Sequence, residues 1–309
     1  ATRINSYLRT EGYDLENSFS DFKKVGLGYV DLNYPEHVKD YDANTMKSLL
    51  NKYDLKLNGV ALRFRNKFIN GELGNSDPEL AKDALQLCKD AADYCRAVGG
   101  RVITIWLGFD GFDYSFQINY KKVWDQLVHV FQEVCDYACD LQISIEYKPY
   151  EERSYAFIDS MGVTGMMLND INIGVTLDYC HMLMKHENPA FAADIFGSQN
   201  KLYGIHLNDG YGVHDDGLMI GTSTPFKTLE MLYYFKKHGY QNAIYFDTFP
   251  VIEEAAAECE RNIEMINYMN DLIDKVGLNY IQSIIDRNDA IAASKLMLEF
   301  FKGGEKNEL

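Results

Sequence analysis

The stretch DPELAKDALQLCKDAADYCRAVGG at residues 77–100 runs directly into RVITIWL at residues 101–107, and this pair of segments decides the predicted fold. In the first segment Asp77 can cap a helix, Pro78 suits its first turn, and Gly99 suits its end. The second segment is a short apolar run, which is typical of a strand buried on both faces of a sheet. A helix that leads into a buried strand is the repeating unit of α/β proteins.

The same alternation recurs along most of the chain. Candidate strands lie at residues 2–8, 27–33, 56–64, 101–107, 142–148, 172–178, 202–208 and 242–248. Helical periodicity is found at residues 77–100, 119–140, 154–168, 187–196 and 224–238. Eight apolar strands that alternate with helices favour a closed (β/α)₈ TIM barrel over an open sheet. An open doubly wound sheet is the alternative, although no G-x-G-x-x-G follows any of these strands.

The sequence contains no linker that would divide the chain into separate domains. We therefore predict one α/β domain, with a barrel over residues 1–250 and a C-terminal helical extension over residues 251–309. Such an extension packs either on the barrel or on a neighbouring subunit. The final GGEKNEL at residues 303–309 is expected to fray.

Composition and charge narrow the class of function. Apolar residues make up 47% of the 309 and charged residues 25%, without an uninterrupted apolar run of membrane-spanning length or a signal-peptide pattern. A formal charge of −16 opposes binding to nucleic acid. The six cysteines form no C-x-x-C and no disulfide-like framework. We expect a cytoplasmic protein with neither a membrane nor a nucleic-acid partner.

Ionisable residues are concentrated at the ends of the last four predicted strands. In chain order they are Glu146 and Lys148, Asp178 and His181, His206 with Asn208 and Asp209, and Asp247. A single acid at a strand end is often a helix cap or a turn residue. Four consecutive strands that end in this way are harder to explain as caps, because each is followed by further residues of strand-like or polar loop character. In a barrel, the carboxyl ends of the strands carry the loops that build the active site. Oxygen and imidazole donors suit Mn²⁺, Mg²⁺, Co²⁺ or Zn²⁺.

Two further segments can be interpreted as either structural or functional. Trp106 either fills the core or forms the aromatic wall of a sugar pocket. In GYGVHDDGLMIG at residues 210–221, the run His214, Asp215 and Asp216 either forms a solvated turn or contributes to the site.

These residues resemble a known family. The run Glu146-x-Lys148-Pro149-x-Glu151-x-Arg153 resembles the E-x-K-P-x-E-x-R segment of xylose isomerases, and Asp178-x-x-His181 is similar to their acid-x-x-His pair. Similar strand ends in xylose and rhamnose isomerases and in ketose 3-epimerases match W-x-G at 106–108, HLN at 206–208 and YFDTF at 245–249. Over about residues 20–250 the chain is identified as a member of the xylose isomerase-like TIM-barrel superfamily, which also includes endonuclease IV-type repair enzymes.

The resemblance implies a set of roles. One divalent metal, with Mn²⁺ expected and Mg²⁺, Co²⁺ or Zn²⁺ as alternatives, would be held by Glu146, Asp178, His206 and Asp247. Catalytic roles are implied for Glu146, Lys148, His181 and Asp247. Substrate contacts are expected from Trp106, Arg153, Asn208, Asp215 and Asp216.

One departure from the family pattern concerns a second metal. The isomerases place D-x-D-L after strand seven, whereas this chain has Asp215-Asp216-Gly217-Leu218. Glycine replaces the second acid, so a tight second metal is not implied unless Asp216 takes its place.

The implied activity is that of a metal-dependent sugar isomerase or epimerase, which removes a proton next to a carbonyl and proceeds through an enediolate. Lys148 would stabilise the developing charge, and Glu146, Asp247 or His181 would be the base. One alternative is the catalytic subunit of a C-glycoside deglycosidase, a carbon–carbon lyase on 3-oxo-glucosides with a small β-sandwich partner. A second is a non-catalytic sugar-binding barrel. We expect a sugar or glycoside substrate and an oligomeric assembly, and too few histidines and the charge of −16 disfavour an endonuclease.

Overall fold

A computed structural model of the chain describes residues 1–304. Within that range the strands are β1 (Tyr29–Tyr34), β2 (Lys56–Leu62), β3 (Val102–Trp106), β4 (Gly111–Phe112), β5 (Gln142–Glu146), β6 (Tyr155–Ala156), β7 (Gly174–Asp178), β8 (Leu202–Leu207) and β9 (Ile244–Phe246). All except β4 and β6 pair in parallel, in chain order, into one seven-stranded and nearly closed barrel of the described residues. The short β4 and β6 form an antiparallel pair between two loops. The predicted α/β barrel class is confirmed.

Helices surround the barrel. In the described part of the chain they are α1 (Ile4–Tyr7), α2 (Leu15–Lys24), α3 (Ala43–Lys52), α4 (Pro78–Val98), α5 (Tyr120–Tyr137), α6 (Met161–Asp170), α7 (Tyr179–Met184), α8 (Pro189–Ser198), α9 (Pro225–Lys237), α10 (Ala255–Val276), α11 (Leu278–Asp286) and α12 (Ala290–Phe301), with a 3₁₀ turn at Asn66–Phe68. The predicted signals of α4 are confirmed, because the Asp77 side chain accepts from Glu79 N–H and Gly99 ends the helix at φ +101°. Among these described helices, none combines the length and the apolar character that a membrane crossing requires.

The predicted strand over residues 2–8 is wrong, because α1 occupies most of it. Ile4, Tyr7 and Leu8 follow the i, i+3, i+4 spacing of a helix, and the first two are buried. Only the first residues run beside β9, where Thr2 bridges Phe246. The predicted helix over 154–168 is also shifted, since β6 precedes it and Ser160 caps α6 through its contact with Val163 N–H.

Small polar side chains fill the barrel interior below the carboxyl ends of the strands. Thr176 Oγ1 lies 2.7 Å from Ser144 Oγ and 3.2 Å from Thr104 Oγ1. A Cβ atom on Gly204 would lie 2.3 Å from Thr176 Oγ1, so glycine is required for this approach. Because side chains alternate along a strand, the next inward-facing position on each strand lies at the barrel mouth. Those positions are Trp106, Glu146, Asp178 and His206.

The C-terminal helices pack on the outside of the barrel. Helix α10 contacts α1 and α9, and both α11 and α12 contact α10. The division into a barrel over 1–250 and an extension over 251–309 stays a prediction. Its last five residues, 305–309, including most of the segment expected to fray, lie outside the described residues.

Candidate active site

Four side chains converge at the mouth of the barrel. Glu146 ends β5, Asp178 ends β7, His206 lies in β8, and Asp247 follows β9. All four are buried, with 1–7% of their surface exposed. One potential ligand atom from each lies within 4.8 Å of the others. The four residues predicted to hold a metal are therefore brought together.

Several atoms of this cluster have no partner for a hydrogen bond. Asp178 Oδ2, His206 Nδ1 and Asp247 Oδ1 are buried and form no hydrogen bond with any residue between 1 and 304. His206 Nδ1 lies 3.2 Å from a Glu146 oxygen and 3.9 Å from Asp178 Oδ2. A buried polar atom without a partner costs about 1–3 kcal/mol, so a cluster of them requires an explanation. Three carboxylates and one imidazole, with lone pairs left over, fit a divalent cation.

The charges of the cluster depend on one another. Burial disfavours the carboxylate of Glu146, but the positive charges of His206 and His181 hold its pKa at about 2. Burial likewise opposes the cationic form of His206, whereas Glu146 raises its pKa to about 9. Burial raises the pKa of Asp178 to about 7, and it also raises the pKa of Asp247. Protons or a bound cation must therefore neutralise the negative charge of these buried carboxylates.

His181 lies beside the cluster at the start of α7. Its Nδ1–H donates to the Tyr147 carbonyl at 3.0 Å, and its Nε2 lies 3.2 Å from Asp215 Oδ2. Burial disfavours its cation, but Asp178 and Asp215 raise the pKa of His181 to about 9. Asp178, His181 and Asp215 form a second group whose ligand atoms lie within 4.8 Å of one another.

Lys148 extends into the same space. Its Nζ lies 3.0 Å from both Glu151 Oε2 and Asp215 Oδ2, and 5.5 Å from the centre of the Trp106 ring. Burial disfavours the ammonium form, but Asp215 and Glu151 raise the pKa of Lys148, so the side chain is charged at neutral pH. An ammonium group has three donors, and two of them face these carboxylates.

A cavity of about 310 Å³ opens above these groups. Its walls are Arg3, Asn5, Arg63, Arg65, Trp106, Glu146, Lys148, Glu151, Glu152, His181, Asp215, Asp247 and Phe249. The volume falls within the range of small-molecule sites, and the wall is mostly polar and charged, as a sugar requires. Trp106, Asp215 and the four predicted catalytic residues all line it, while Asp178 and His206 lie beneath.

Three predicted substrate contacts lie away from this cavity. Arg153 pairs with Asp113 in a neighbouring loop, with Nη1 3.3 Å from Oδ2. Asp216 accepts a hydrogen bond from Tyr211 N–H at 2.7 Å and pairs with His214, so it organises its own loop.

Asn208 is the third, and it is fully buried behind the cluster. Its Oδ1 accepts from Cys180 N–H at 2.9 Å, and its Nδ2 donates to the Asp247 carbonyl at 3.1 Å and faces Asp178 Oδ1 at 3.4 Å. These contacts give it the geometry of a residue that positions the two acids.

The sequence prediction omitted several residues of the wall, among them Arg3, Asn5, Arg63 and Phe249. Arg3 Nε lies 3.6 Å from Asp247 Oδ1, and its guanidinium lies over Phe249 at 4.5 Å. A signal for Arg63 was present, because it lies two residues after Ala61 at the end of β2. The alternation that places Glu146 at the mouth therefore also places Arg63 there.

Comparison with known proteins agrees with this architecture. The xylose isomerase-like TIM-barrel family matches residues 19–268. The xylose isomerase of Thermus thermophilus is 22% identical over 224 residues, which are 69% of this chain and 58% of that protein. The chain thus spans less than two thirds of the length of this relative.

Solved structures show the same fold. L-ribulose 3-epimerase has a TM-score of 0.70 at 14% identity, over 89% of this chain and 92% of that chain. D-allulose 3-epimerase from Methylomonas sp. has a TM-score of 0.69 at 18% identity, over 82% and 91% respectively. The resemblance inferred from the strand-end motifs is confirmed. Since the family match covers well over half of the 309 residues, the chain belongs to the xylose isomerase-like TIM-barrel family.

Proposed function

We propose that this protein is a metal-dependent sugar isomerase or epimerase that removes a proton next to a carbonyl. The observation that carries the proposal is the buried cluster of Glu146, Asp178, His206 and Asp247, whose unpaired atoms lie at the floor of a polar cavity. The sugar 3-epimerases that share the fold support the class of reaction.

Glu146, Asp178, His206 and Asp247 would hold one divalent ion, which we expect to be Mn²⁺, with Mg²⁺, Co²⁺ and Zn²⁺ as alternatives. Such an ion, when bound, would polarise a sugar carbonyl and lower the free-energy cost of removing the neighbouring proton. Asn208 keeps the Asp178 and Asp247 segments in place from behind.

Lys148 would bind the substrate oxygen on which negative charge develops. Two of its three donors face Glu151 and Asp215, which fixes the ammonium group and leaves one donor for the cavity. A preorganised cation of this kind stabilises the transition state more than the ground state. Trp106 would supply the apolar wall against one face of the sugar.

Glu146 and Asp247 are the better candidates for the proton-transfer groups. Both line the cavity, and they come from β5 and β9, which are separated around the barrel by β7 and β8. Carboxylates that approach from different directions can remove a proton and return one elsewhere, as either isomerisation or epimerisation requires. His181, whose pKa is raised to about 9, is better suited to donate a hydrogen bond than to act as a base.

The test is to incubate the Mn²⁺-loaded protein with a panel of ketoses, aldoses and 3-oxo-glucosides in deuterated water. We expect deuterium at the carbon next to the carbonyl, and the product identifies isomerisation or epimerisation. Exchange should disappear after treatment with a chelator and return with Mn²⁺. The absence of exchange with every sugar would contradict the proposal, and release of an aglycone would point instead to a lyase. The oligomeric assembly, the β-sandwich partner and the cytoplasmic location stay predictions.

A further inference from the structure

Arg63 differs from the other cations around the cavity. Arg3 faces Asp247, Arg65 pairs with Glu36, and Lys148 pairs with Glu151 and Asp215. The guanidinium of Arg63, in contrast, forms neither a hydrogen bond nor an ion pair with any residue between 1 and 304. It is nevertheless partly buried and lines the cavity.

The position of Arg63 is fixed by the chain around it. Its backbone N–H donates to the Tyr34 carbonyl at 2.9 Å, which continues the pairing of β2 with β1. The next residue, Phe64, is buried and packs edge-on against Phe68. Since successive side chains in extended backbone point to opposite sides, the burial of Phe64 turns Arg63 toward the barrel mouth.

Trp106 lies beside both this guanidinium and the ammonium group of Lys148. The Arg63 Cζ lies 5.9 Å and the Lys148 Nζ 5.5 Å from the centre of the same ring. A guanidinium next to an aromatic ring keeps its planar set of donors in a fixed orientation, which suits a carboxylate that accepts two parallel hydrogen bonds. The cavity therefore offers two cations beside one aromatic ring: Lys148, which is paired with two carboxylates, and Arg63, which is not paired.

We propose that the substrate is a sugar acid, and that Arg63 binds its carboxylate while the carbonyl end lies near Lys148 and Glu146. This inference rests on the proposed function for the orientation of the sugar. A carboxylate fits better than a phosphate, because a phosphate carries about two negative charges at pH 7 and only one cation of the wall is unpaired. Glu151 and Glu152, which line the same cavity, would repel the additional charge.

The experiment compares three forms of each ketohexose that differ only at C6, for example D-fructose, D-fructuronate and D-fructose 6-phosphate. Dissociation constants are measured by calorimetry on the Mn²⁺-loaded protein. Wild type should bind the hexuronate about 10- to 100-fold more tightly than the neutral sugar, as expected for a charge-assisted bidentate contact. Arg63→Gln should bring this affinity ratio close to one. Arg63→Lys should keep only part of the preference, because lysine retains the positive charge but cannot donate two parallel hydrogen bonds to the carboxylate.

Lys67→Gln is the matched control. It removes one positive charge from the same loop, but Lys67 pairs with Asp83 outside the cavity wall. The ratio should remain that of wild type in this variant. It should also persist after the metal is removed with a chelator, since the carboxylate lies on Arg63. Circular dichroism tests whether each variant is folded. If Arg63→Gln does not fold, Arg63→Lys is compared with wild type instead.

Equal affinity of wild type for the neutral and acidic sugars would overturn the inference. An unchanged ratio in Arg63→Gln, a preference that disappears with the metal, or tightest binding of the 6-phosphate would overturn it as well. If no sugar exchanges deuterium but the hexuronate preference still depends on Arg63, the proposed function fails and the carboxylate site stands.

Discussion

Two groups of buried acids lie at the same end of the barrel, and they differ in one respect. Glu146, Asp178 and Asp247 are buried, and on two of them, Asp178 and Asp247, one oxygen accepts no hydrogen bond from the described residues. Glu72 and Asp110 are also buried, at 1% and 3% exposure, but every oxygen of their carboxyl groups accepts a hydrogen bond from a backbone N–H. Burial alone therefore does not distinguish a candidate site from a structural element.

The Glu72–Asp110 pair joins two loops through backbone hydrogen bonds. The Glu72 carboxyl accepts from Asp110 N–H at 2.6 Å and from Phe109 N–H at 2.9 Å, while Asp110 accepts from Glu72 N–H at 2.9 Å and Gly74 N–H at 2.8 Å. This reciprocal pairing holds the loop after β2 to the loop after β3. The unpaired atoms of the strand-end cluster, in contrast, are suited to binding a cation.

The largest contrast should be seen in activity. Glu146→Gln should lower kcat/KM for deuterium exchange about 1,000-fold, because it removes both a metal ligand and a candidate base. Glu72→Gln makes the same chemical change in the other group and should leave the exchange rate nearly unchanged. Isotope exchange followed by NMR provides the measurement. Equal losses in the two variants would remove the distinction between the groups.

The order should be reversed for stability. Glu72→Ala leaves the buried N–H groups of Phe109 and Asp110 without acceptors, which should lower the free energy of unfolding by about 3 kcal/mol. Glu146→Gln removes one of several close acids and should change stability much less. Urea denaturation of both variants at pH 7 tests this. A Glu72→Ala protein as stable as wild type would contradict the structural role of the pair.

Metal should stabilise the protein only through the strand-end cluster. Mn²⁺ at 100 times its dissociation constant should raise the free energy of unfolding by about 2.7 kcal/mol, because it binds the folded state. Asp247→Asn should lose this effect, whereas Glu72→Gln should keep it. Thermal unfolding with and without Mn²⁺ measures the difference. Stabilisation that survives Asp247→Asn would place the metal elsewhere.

The structural pair should also make stability depend on pH. Burial and the charge of Asp110 raise the pKa of Glu72 from 4.5 to about 9 in the folded state. The folded protein therefore binds this proton more tightly than the unfolded chain does, and the free energy of unfolding falls as pH rises between about 5 and 9, by up to about 1.4 kcal/mol per pH unit. The decline should be shallower in Glu72→Gln. Identical pH profiles for the two proteins would show that Glu72 does not titrate in this way.

The strand-end residues could be predicted from the sequence because two simple rules fix their position. Parallel strands present their carboxyl ends at one edge, and side chains alternate along each strand. Glu146, Asp178, His206 and Asp247 come together for these reasons, although their roles stay predictions. The same rules apply to Arg63, which lies in the predicted strand over residues 56–64 and was not among the predicted site residues.

Loop residues could not be placed in this way, because a loop has no fixed period. Arg153 and Asp216 belong to the motifs that resemble the isomerases, but local partners, Asp113 and Tyr211, turn both side chains away from the cavity. Asn208 lies in a strand-end motif, yet its side-chain amide is hydrogen-bonded to the backbone of Cys180 and Asp247 and does not face the cavity. The orientation of such side chains depends on contacts from distant segments, which a single sequence does not specify.

The most direct test of the central claim is a measurement of metal content. The purified protein is equilibrated with Mn²⁺, free ions are removed, and the bound metal is measured by inductively coupled plasma mass spectrometry. We expect about one divalent ion per chain for wild type and for Glu72→Gln, and a large loss for His206→Gln, which keeps a polar side chain but removes the imidazole ligand. No bound ion in wild type, or an undiminished ion content in His206→Gln, would contradict the assignment of this cluster as a metal site.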